Sequence, residues 1–242
     1  MIRVLGKEFN SYLNSLIAYI VIGVFLTAMG LLTWVFPETS VLEYGYADMF
    51  TVFSLAPYIF IFLVPAVTMR SFAEEKRSGT MELLLTKPLT DWGIILGKYF
   101  ACFLLIILAL IPTLIYYLSL YRLGNPVGNI DTPGVIGSYI GLVLLGGVFC
   151  SIGLFASSIT SNQIVAFIIG AFLCYFLFAG FESVALLNVW SERVLFIKQL
   201  GLLHHYDSLG KGLIDSRDVV YLLSVIALML LLTRITIGSR SW

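Results

Sequence analysis

Two stretches of this chain are too long and too free of charge to belong to a water-soluble fold. Residues 9–37 and residues 132–181 contain no Asp, Glu, Lys or Arg. A helix needs about 20 apolar residues to cross a bilayer, so the first stretch fits one membrane span and the second fits two. Charged residues make up only 12% of the chain, against roughly 25% in soluble domains, and the mean hydropathy is +0.99. The composition excludes a soluble enzyme and indicates a polytopic membrane protein.

The same reasoning predicts an all-α fold with six transmembrane helices in a single domain, residues 1–242. The long second stretch is divided at its polar cluster, residues 157–163. Lys98 lies near the start of the third span, where a long side chain can snorkel to the membrane surface. Residues 182–218 keep short apolar runs and are predicted to form short helices at or dipping into the outer surface. The predicted spans are approximately 13–35, 51–69, 92–121, 134–157, 164–181 and 219–237.

Basic residues are distributed unequally between the two sides of this layout. Cytoplasmic loops of membrane proteins carry an excess of Lys and Arg, so both termini are predicted to be cytoplasmic. The formal charge of zero offers no basic footprint for nucleic acid. With this orientation the nine inner basic residues are Arg3, Lys7, Arg70, Lys76, Arg77, Lys87, Lys98, Arg234 and Arg240, and the five outer ones are Arg122, Arg193, Lys198, Lys211 and Arg217.

Residue patterns for hydrolytic, redox or metal chemistry are sparse in this sequence. There is no G-x-x-x-x-G-K-[ST] phosphate loop, H-E-x-x-H or G-x-S-x-G motif. The three cysteines lie in apolar runs without metal-type spacing, which indicates small core side chains. Neither a catalytic residue nor a metal site is predicted. Two alternatives remain open: an anchor that only recruits envelope partners, or a membrane-embedded enzyme using Glu182, His204, His205 and Asp207.

The loop between the second and third spans, residues 70–91, is the most informative part of the sequence. Residues 70–77 continue the preceding helix with mixed charges, and Ser78-Gly79 is expected to end it. A second short amphipathic helix is predicted over residues 80–86, with Pro88 ending it. Such an element either rests on lipid or docks a cytoplasmic partner through charges and an apolar face. That apolar face consists of Met81, Leu84 and Leu85.

Residues 69–89, MRSFAEEKRSGTMELLLTKPL, resemble the signature of ABC-2 type transporter permeases. In that family the pattern E-E-K/R-x-x-G-T-x-E-x-L-L-x-x-P joins the second and third spans. The six-span layout with a long outer segment before the last helix is similar as well. Within the family, the chain resembles the gliding-motility-associated ABC transporter permeases (GldF) through residues 44–46, 53–57, 124–131 and 212–218.

This resemblance implies a non-enzymatic permease subunit of the bacterial inner membrane. It implies a separate cytoplasmic ATPase that binds ATP-Mg, a second permease half or accessory subunit, and a role in export or gliding-related envelope assembly. The chain itself would need no cofactor, and the family motif supplies no substrate-binding residue. The positions that match the ATPase-contacting element are Phe72, Glu74, Glu75, Arg77, Gly79, Thr80, Glu82, Leu84 and Leu85.

Gly137 and Gly141 form a G-x-x-x-G pattern in the predicted fourth span. Small residues at this spacing allow another helix to approach closely. The neighbouring helix could belong to a second copy, line a translocation seam or come from the same chain. The pattern itself leaves these possibilities open.

Overall fold

A computed structural model describes residues 1–44, 48–81, 90–186, 194–212 and 214–239. The described residues form helices and their connections, with no β-strand among them. The helices are α1 (Ile2–Leu13), α2 (Leu16–Trp34), α3 (Val41–Tyr44), α4 (Phe50–Thr68), α5 (Arg70–Arg77), α6 (Asp91–Leu110), α7 (Leu114–Leu123), α8 (Thr132–Ile159), α9 (Gln163–Tyr175), α10 (Phe181–Leu186), α11 (Val194–Gln199), α12 (Leu202–Leu209) and α13 (Ser216–Gly238).

Among the described residues, five helical segments are long and apolar enough to cross a membrane, and α1 with α2 provides a sixth candidate in two parts. Those two helices meet that requirement only together and are bent by 65° at the break between them. The structure therefore confirms an all-α polytopic protein with five to six spanning segments. The five segments are Phe50–Arg77, Asp91–Leu123, Thr132–Ile159, Gln163–Ala185 and Ser216–Gly238.

Two of these segments change helix type along their length. A 3-10 turn at Ile111–Thr113 joins α6 to α7, at the position where Pro112 lacks a backbone donor. A π-helical stretch, Phe176–Gly180, joins α9 to α10. Beyond α10, α11 and α12 are short helices in the segment that the sequence predicted to carry them.

The central element of the fold is α8, which contacts α4, α6, α9, α12 and α13. Its glycines allow this crowding because a side chain would collide with the neighbouring helices. A Cβ on Gly147 would lie 2.8 Å from the Tyr99 hydroxyl, and one on Gly153 would lie 2.9 Å from Thr68 Cβ. We call the end of the bundle that carries α5 the α5 end, and the opposite end, which carries α12, the α12 end.

Candidate functional site

The helix α5 follows directly after α4 and forms the last part of the segment Phe50–Arg77. Only Met69 separates α4 from α5, and its backbone is also helical, with φ −53° and ψ −30°. The helix ends at Ser78, and Gly79 follows with φ +69°, a left-handed conformation that favours glycine. Thr80 and Met81 return to helical backbone. The sequence-predicted helix, glycine turn and second helical start are therefore present in this order.

Lys98 of α6 lies at the centre of the α5 end. Its side chain is only 2% exposed, and its Nζ donates to Glu75 Oε1 at 2.8 Å, Glu8 Oε1 at 3.2 Å and the Ser71 carbonyl at 2.8 Å. The ammonium also lies 5.2 Å from the centroid of the Phe72 ring. An ammonium has three donors, and these contacts use all of them. The predicted snorkelling of Lys98 is wrong, because two carboxylates and a carbonyl meet its charge inside the protein.

The Lys98 ion pairs connect three separate parts of the chain. Glu8 belongs to α1, Glu75 to α5 and Lys98 to α6. The two carboxylate side chains are 15% and 17% exposed, so this is a largely desolvated cluster. Removing one member of such a buried pair leaves an uncompensated charge, which costs about 3–5 kcal/mol. We call Glu8, Glu75 and Lys98 the Lys98 cluster.

A second set of contacts fixes α5 to the end of α8. Ser157 Oγ accepts hydrogen bonds from the backbone N–H groups of Phe72 and Ala73, both at 3.0 Å, and donates to the Met69 carbonyl at 2.9 Å. The first N–H groups of a helix have no partners within it, so Ser157 supplies acceptors that α5 lacks. Lys76 Nζ in addition donates to the carbonyl of Ser158. Sequence reasoning treated these serines only as the break between two spans.

The predicted ATPase-contact residues separate into two groups in the structure. Glu74, Arg77, Gly79 and Thr80 are exposed, and Glu74 pairs with Arg70 at 2.9 Å. Phe72 is fully buried, and Glu75 belongs to the Lys98 cluster. The second carboxylate oxygen of Glu75, Oε2, is buried and has no hydrogen-bond partner among the described residues. The remaining predicted positions, Glu82, Leu84 and Leu85, lie outside the described residues.

A polar cavity of about 320 Å³ lies beside the Lys98 cluster, between α1 and α5. Tyr12 and Ser71 approach each other on its wall, with 3.1 Å between their hydroxyl oxygens. This contact adds to the Glu8 ion pair in holding α1 against α5. The close packing of α1 on α6 continues at Gly97, where a Cβ would lie 2.8 Å from Val4 Cγ1.

At the α12 end, Gly137 and Gly141 both face α12 of the same chain. A Cβ on Gly137 would collide with the Leu209 carbonyl oxygen, and one on Gly141 would lie 3.3 Å from both Leu209 Cβ and Tyr206 Cδ2. The G-x-x-x-G pattern therefore packs helices within one chain. The Tyr206 hydroxyl donates to the Phe53 carbonyl at 2.7 Å and so joins α12 to α4 as well.

Three of the residues considered for an embedded enzyme, Glu182, His204 and Asp207, line one cavity of about 120 Å³, and His205 does not line it. His205 lies 2.7 Å from Asp218 through Nδ1 and 2.8 Å from the Gln199 carbonyl through Nε2, so both ring nitrogens have partners. Glu182 instead pairs with Lys198 at 3.9 Å. Within the described ranges, no group of three His, Cys, Asp or Glu side chains could hold a metal ion. The two contacts of His205 join α12 to α11 and α13.

The chain was also compared with known protein families. Residues 4–191 match the family described as ABC-2 family transporter protein. The chain belongs to the ABC-2 transporter family. This membership implies a membrane permease component of an ABC transporter and a non-enzymatic role for the component itself.

Two relatives carry the name "Probable multidrug ABC transporter permease YbhR", one from Escherichia coli strain K12 and one from Escherichia coli O157:H7. Each is 30% identical over 179 residues, which cover 71% of this chain and 46% of the relative. The chain thus spans less than half the length of these relatives. The ABC-2 resemblance found in residues 69–89 is confirmed at the level of the family.

Proposed function

We propose that this chain is a permease subunit that couples ATP hydrolysis by a separate cytoplasmic ATPase to movement of its membrane helices. In this proposal the α5 end is the cytoplasmic side of a bacterial inner membrane. The excess of Lys and Arg on that side of the layout supports the orientation. The partner ATPase would bind ATP-Mg, since this chain has no phosphate-binding loop.

The observation that carries the proposal is the division of α5 into two faces. Its outer face offers Glu74 and Arg77 to a partner. Its inner face is held by Ser157 of α8 and by Lys98 of α6. A partner that displaces α5 must therefore move α1, α6 and α8 with it or break a buried ion pair. A packed junction of this kind converts a local push into the movement of whole helices between two states.

The complete transporter would contain a second permease half or an accessory membrane subunit, because a single set of about six helices rarely encloses a pathway. The finer proposal is a role in export or gliding-related envelope assembly, based on the similarity of residues 44–46, 53–57, 124–131 and 212–218 to gliding-motility-associated permeases. Deleting the gene in its own host and scoring gliding on agar tests that role. Normal gliding after deletion would contradict it.

The docking face is tested by reversing its exposed charges. The double variant Glu74→Lys/Arg77→Glu should reduce co-purification of an ABC ATPase, identified by mass spectrometry through its phosphate-loop sequence, without changing the yield of the permease. Both side chains are exposed, so the substitutions leave the Lys98 cluster intact. Arg122→Glu is the matched control. Arg122 is also exposed, but it lies near the end of the segment Asp91–Leu123 that is farther from the α5 end.

Undiminished co-purification of the ATPase with the double variant would contradict the assignment of α5 as the docking element. Equal loss with Arg122→Glu would show a general effect of charge on expression or assembly. The vanadate-sensitive ATPase activity of the purified complex provides a second readout. It should fall with the double variant and remain at the unmodified level with the control.

A further inference from the structure

A cavity of about 540 Å³ lies at the α12 end and is not used by the proposed coupling function. Its walls come from the start of α4, the start of α8, the π-helical stretch and α12. Drug-sized ligands bind in cavities of about 300–1,000 Å³ that are mostly apolar and contain a few polar groups. The size and the mixed origin of the walls therefore suit one small organic molecule.

The interior of this cavity is apolar and aromatic. Phe53, Phe178 and Tyr206 are buried side chains of its wall, and Tyr58 extends the aromatic surface to the exterior. These rings pack edge to face, with centroids 5.5 Å apart for Tyr58 and Phe178 and 6.3 Å apart for Phe178 and Tyr206. Aromatic faces attract organic cations because the ring quadrupole is negative above its plane.

The rim of the cavity is charged, in contrast to the apolar interior. Asp48, Asp131 and Asp207 are exposed there with one cation, Lys211. Asp48 accepts a hydrogen bond from its own loop, Phe50 N at 2.9 Å, and Asp131 accepts one from Gly134 N at 3.2 Å. Within the described ranges, none of the three carboxylates forms an ion pair. The rim is therefore negative and has unused acceptor capacity.

The surroundings of Asp207 disfavour its ionised form. Partial burial raises the pKa of Asp207, the nearby Glu182 carboxylate raises it further, and Lys211 and His204 oppose the shift. A bound cation would favour the ionised form of Asp207. The negative rim repels an anion, and the apolar interior offers no ligands to a bare metal ion.

We infer that this cavity binds an amphipathic organic cation, with the apolar body between the aromatic side chains and the positive charge at the rim carboxylates. The occupant is a free small molecule that enters from the α12 end. Binding to this chain does not depend on the ATPase coupling proposed above. The measurement can therefore be made without the ATPase, and its failure would leave that proposal unaffected.

The test uses a pair of probes with the same shape and opposite charge. Tetraphenylphosphonium and tetraphenylborate are added to the purified 242-residue chain, first in dodecyl maltoside and then in phosphatidylcholine nanodiscs. Equilibrium dialysis measures binding, with empty micelles or nanodiscs as background. We expect saturable binding of the phosphonium and at least about tenfold weaker binding of the borate, because rim charge favours one and opposes the other.

Three variants test whether the rim charges contribute to this binding. Asp48→Asn/Asp131→Asn/Asp207→Asn removes the charges but retains side-chain oxygens for the two capping contacts, and should weaken phosphonium binding about tenfold or more. Lys211→Gln should strengthen it about two- to threefold, a gain that a folding defect cannot mimic. Asp215→Asn is the matched control, because Asp215 caps α13 through Arg217 N at 2.9 Å and does not line the cavity.

Several results would overturn the inference. Equal binding of the two probes would show that the cavity does not select for positive charge. Unchanged affinity for tetraphenylphosphonium in both rim variants would show that the rim charges do not contribute to binding. A loss with Asp215→Asn as large as that with the triple variant would indicate a general surface effect. Binding that occurs in dodecyl maltoside but disappears in phosphatidylcholine would assign the cavity to a lipid headgroup instead of a free cation.

Discussion

Replacing Lys98 by methionine tests whether the Lys98 cluster holds the α5 end together. Methionine preserves much of the side-chain volume but removes the hydrogen bonds to Glu8, Glu75 and the Ser71 carbonyl. Loss of one partner from a buried ion pair costs about 3–5 kcal/mol. Because the two carboxylates are 15% and 17% exposed and keep some hydration, the lower value, about 3 kcal/mol, applies here.

This loss corresponds to a measurable change in thermal stability. For a chain of this size, 1 kcal/mol shifts Tm by about 2–4 °C, so Lys98→Met should lower Tm by about 6–12 °C. Intrinsic fluorescence of the protein in nanodiscs provides the melting curve. The double variant Lys98→Met/Glu75→Gln should recover part of the loss, with a coupling energy of about 1–3 kcal/mol in the double-mutant cycle.

Glu74→Gln is the matched control for this series, since Glu74 lies on the same helix with its side chain 48% exposed. An exposed ion pair contributes about 0–1 kcal/mol, so its Tm should change by less than about 4 °C. A Tm for Lys98→Met within about 2 °C of the unmodified protein would refute the reasoning. Strict additivity in the cycle with Glu75→Gln would equally show that the observed ion pair carries no energetic coupling.

Three further predictions concern other parts of the molecule. Ser157→Ala should destabilise the protein by about 1–3 kcal/mol, measured by thermal unfolding, because two N–H groups of α5 lose their acceptor. Gly137→Ala should cost about 1–3 kcal/mol, because its Cβ would meet the Leu209 carbonyl, whereas Gly23→Ala, with open space around it, should be neutral or stabilising in the same assay. Asp218→Asn should lower the Tm in the same assay, because the carboxylate that lies 2.7 Å from His205 Nδ1 is replaced by a neutral amide, and charge-assisted hydrogen bonds are the stronger ones.

The membrane class and the element at the α5 end could be predicted from local sequence. Long uncharged runs require spanning helices, because only a helix satisfies its own backbone groups in hydrocarbon. The Ser78-Gly79 break was also predictable, since it depends on the backbone freedom of one residue, and Gly79 has the expected positive φ. These features depend on neighbours in the chain, which a sequence displays directly.

The function of individual charges could not be predicted in this way. Glu75 and Glu74 are adjacent in the sequence, yet one enters the Lys98 cluster and the other faces outward. Which of the two is buried depends on how α5 is rotated against α1 and α6. Ser157 likewise carries no local signal for its role, since its partners on α5 are 84 and 85 residues away.

The sequence by itself determined that this chain crosses the membrane several times, belongs among the ABC-2 permeases and exposes a charged helix after its second spanning helix. Those properties follow from composition, from hydrophobic run length and from one contiguous motif. Only the tertiary structure decided that Lys98 is buried between two carboxylates and that Asp48, Asp131 and Asp207 surround one aromatic cavity. The physical reason is that ion pairs and cavity walls depend on distances between helices far apart in the chain, and those distances are set by the packing around α8.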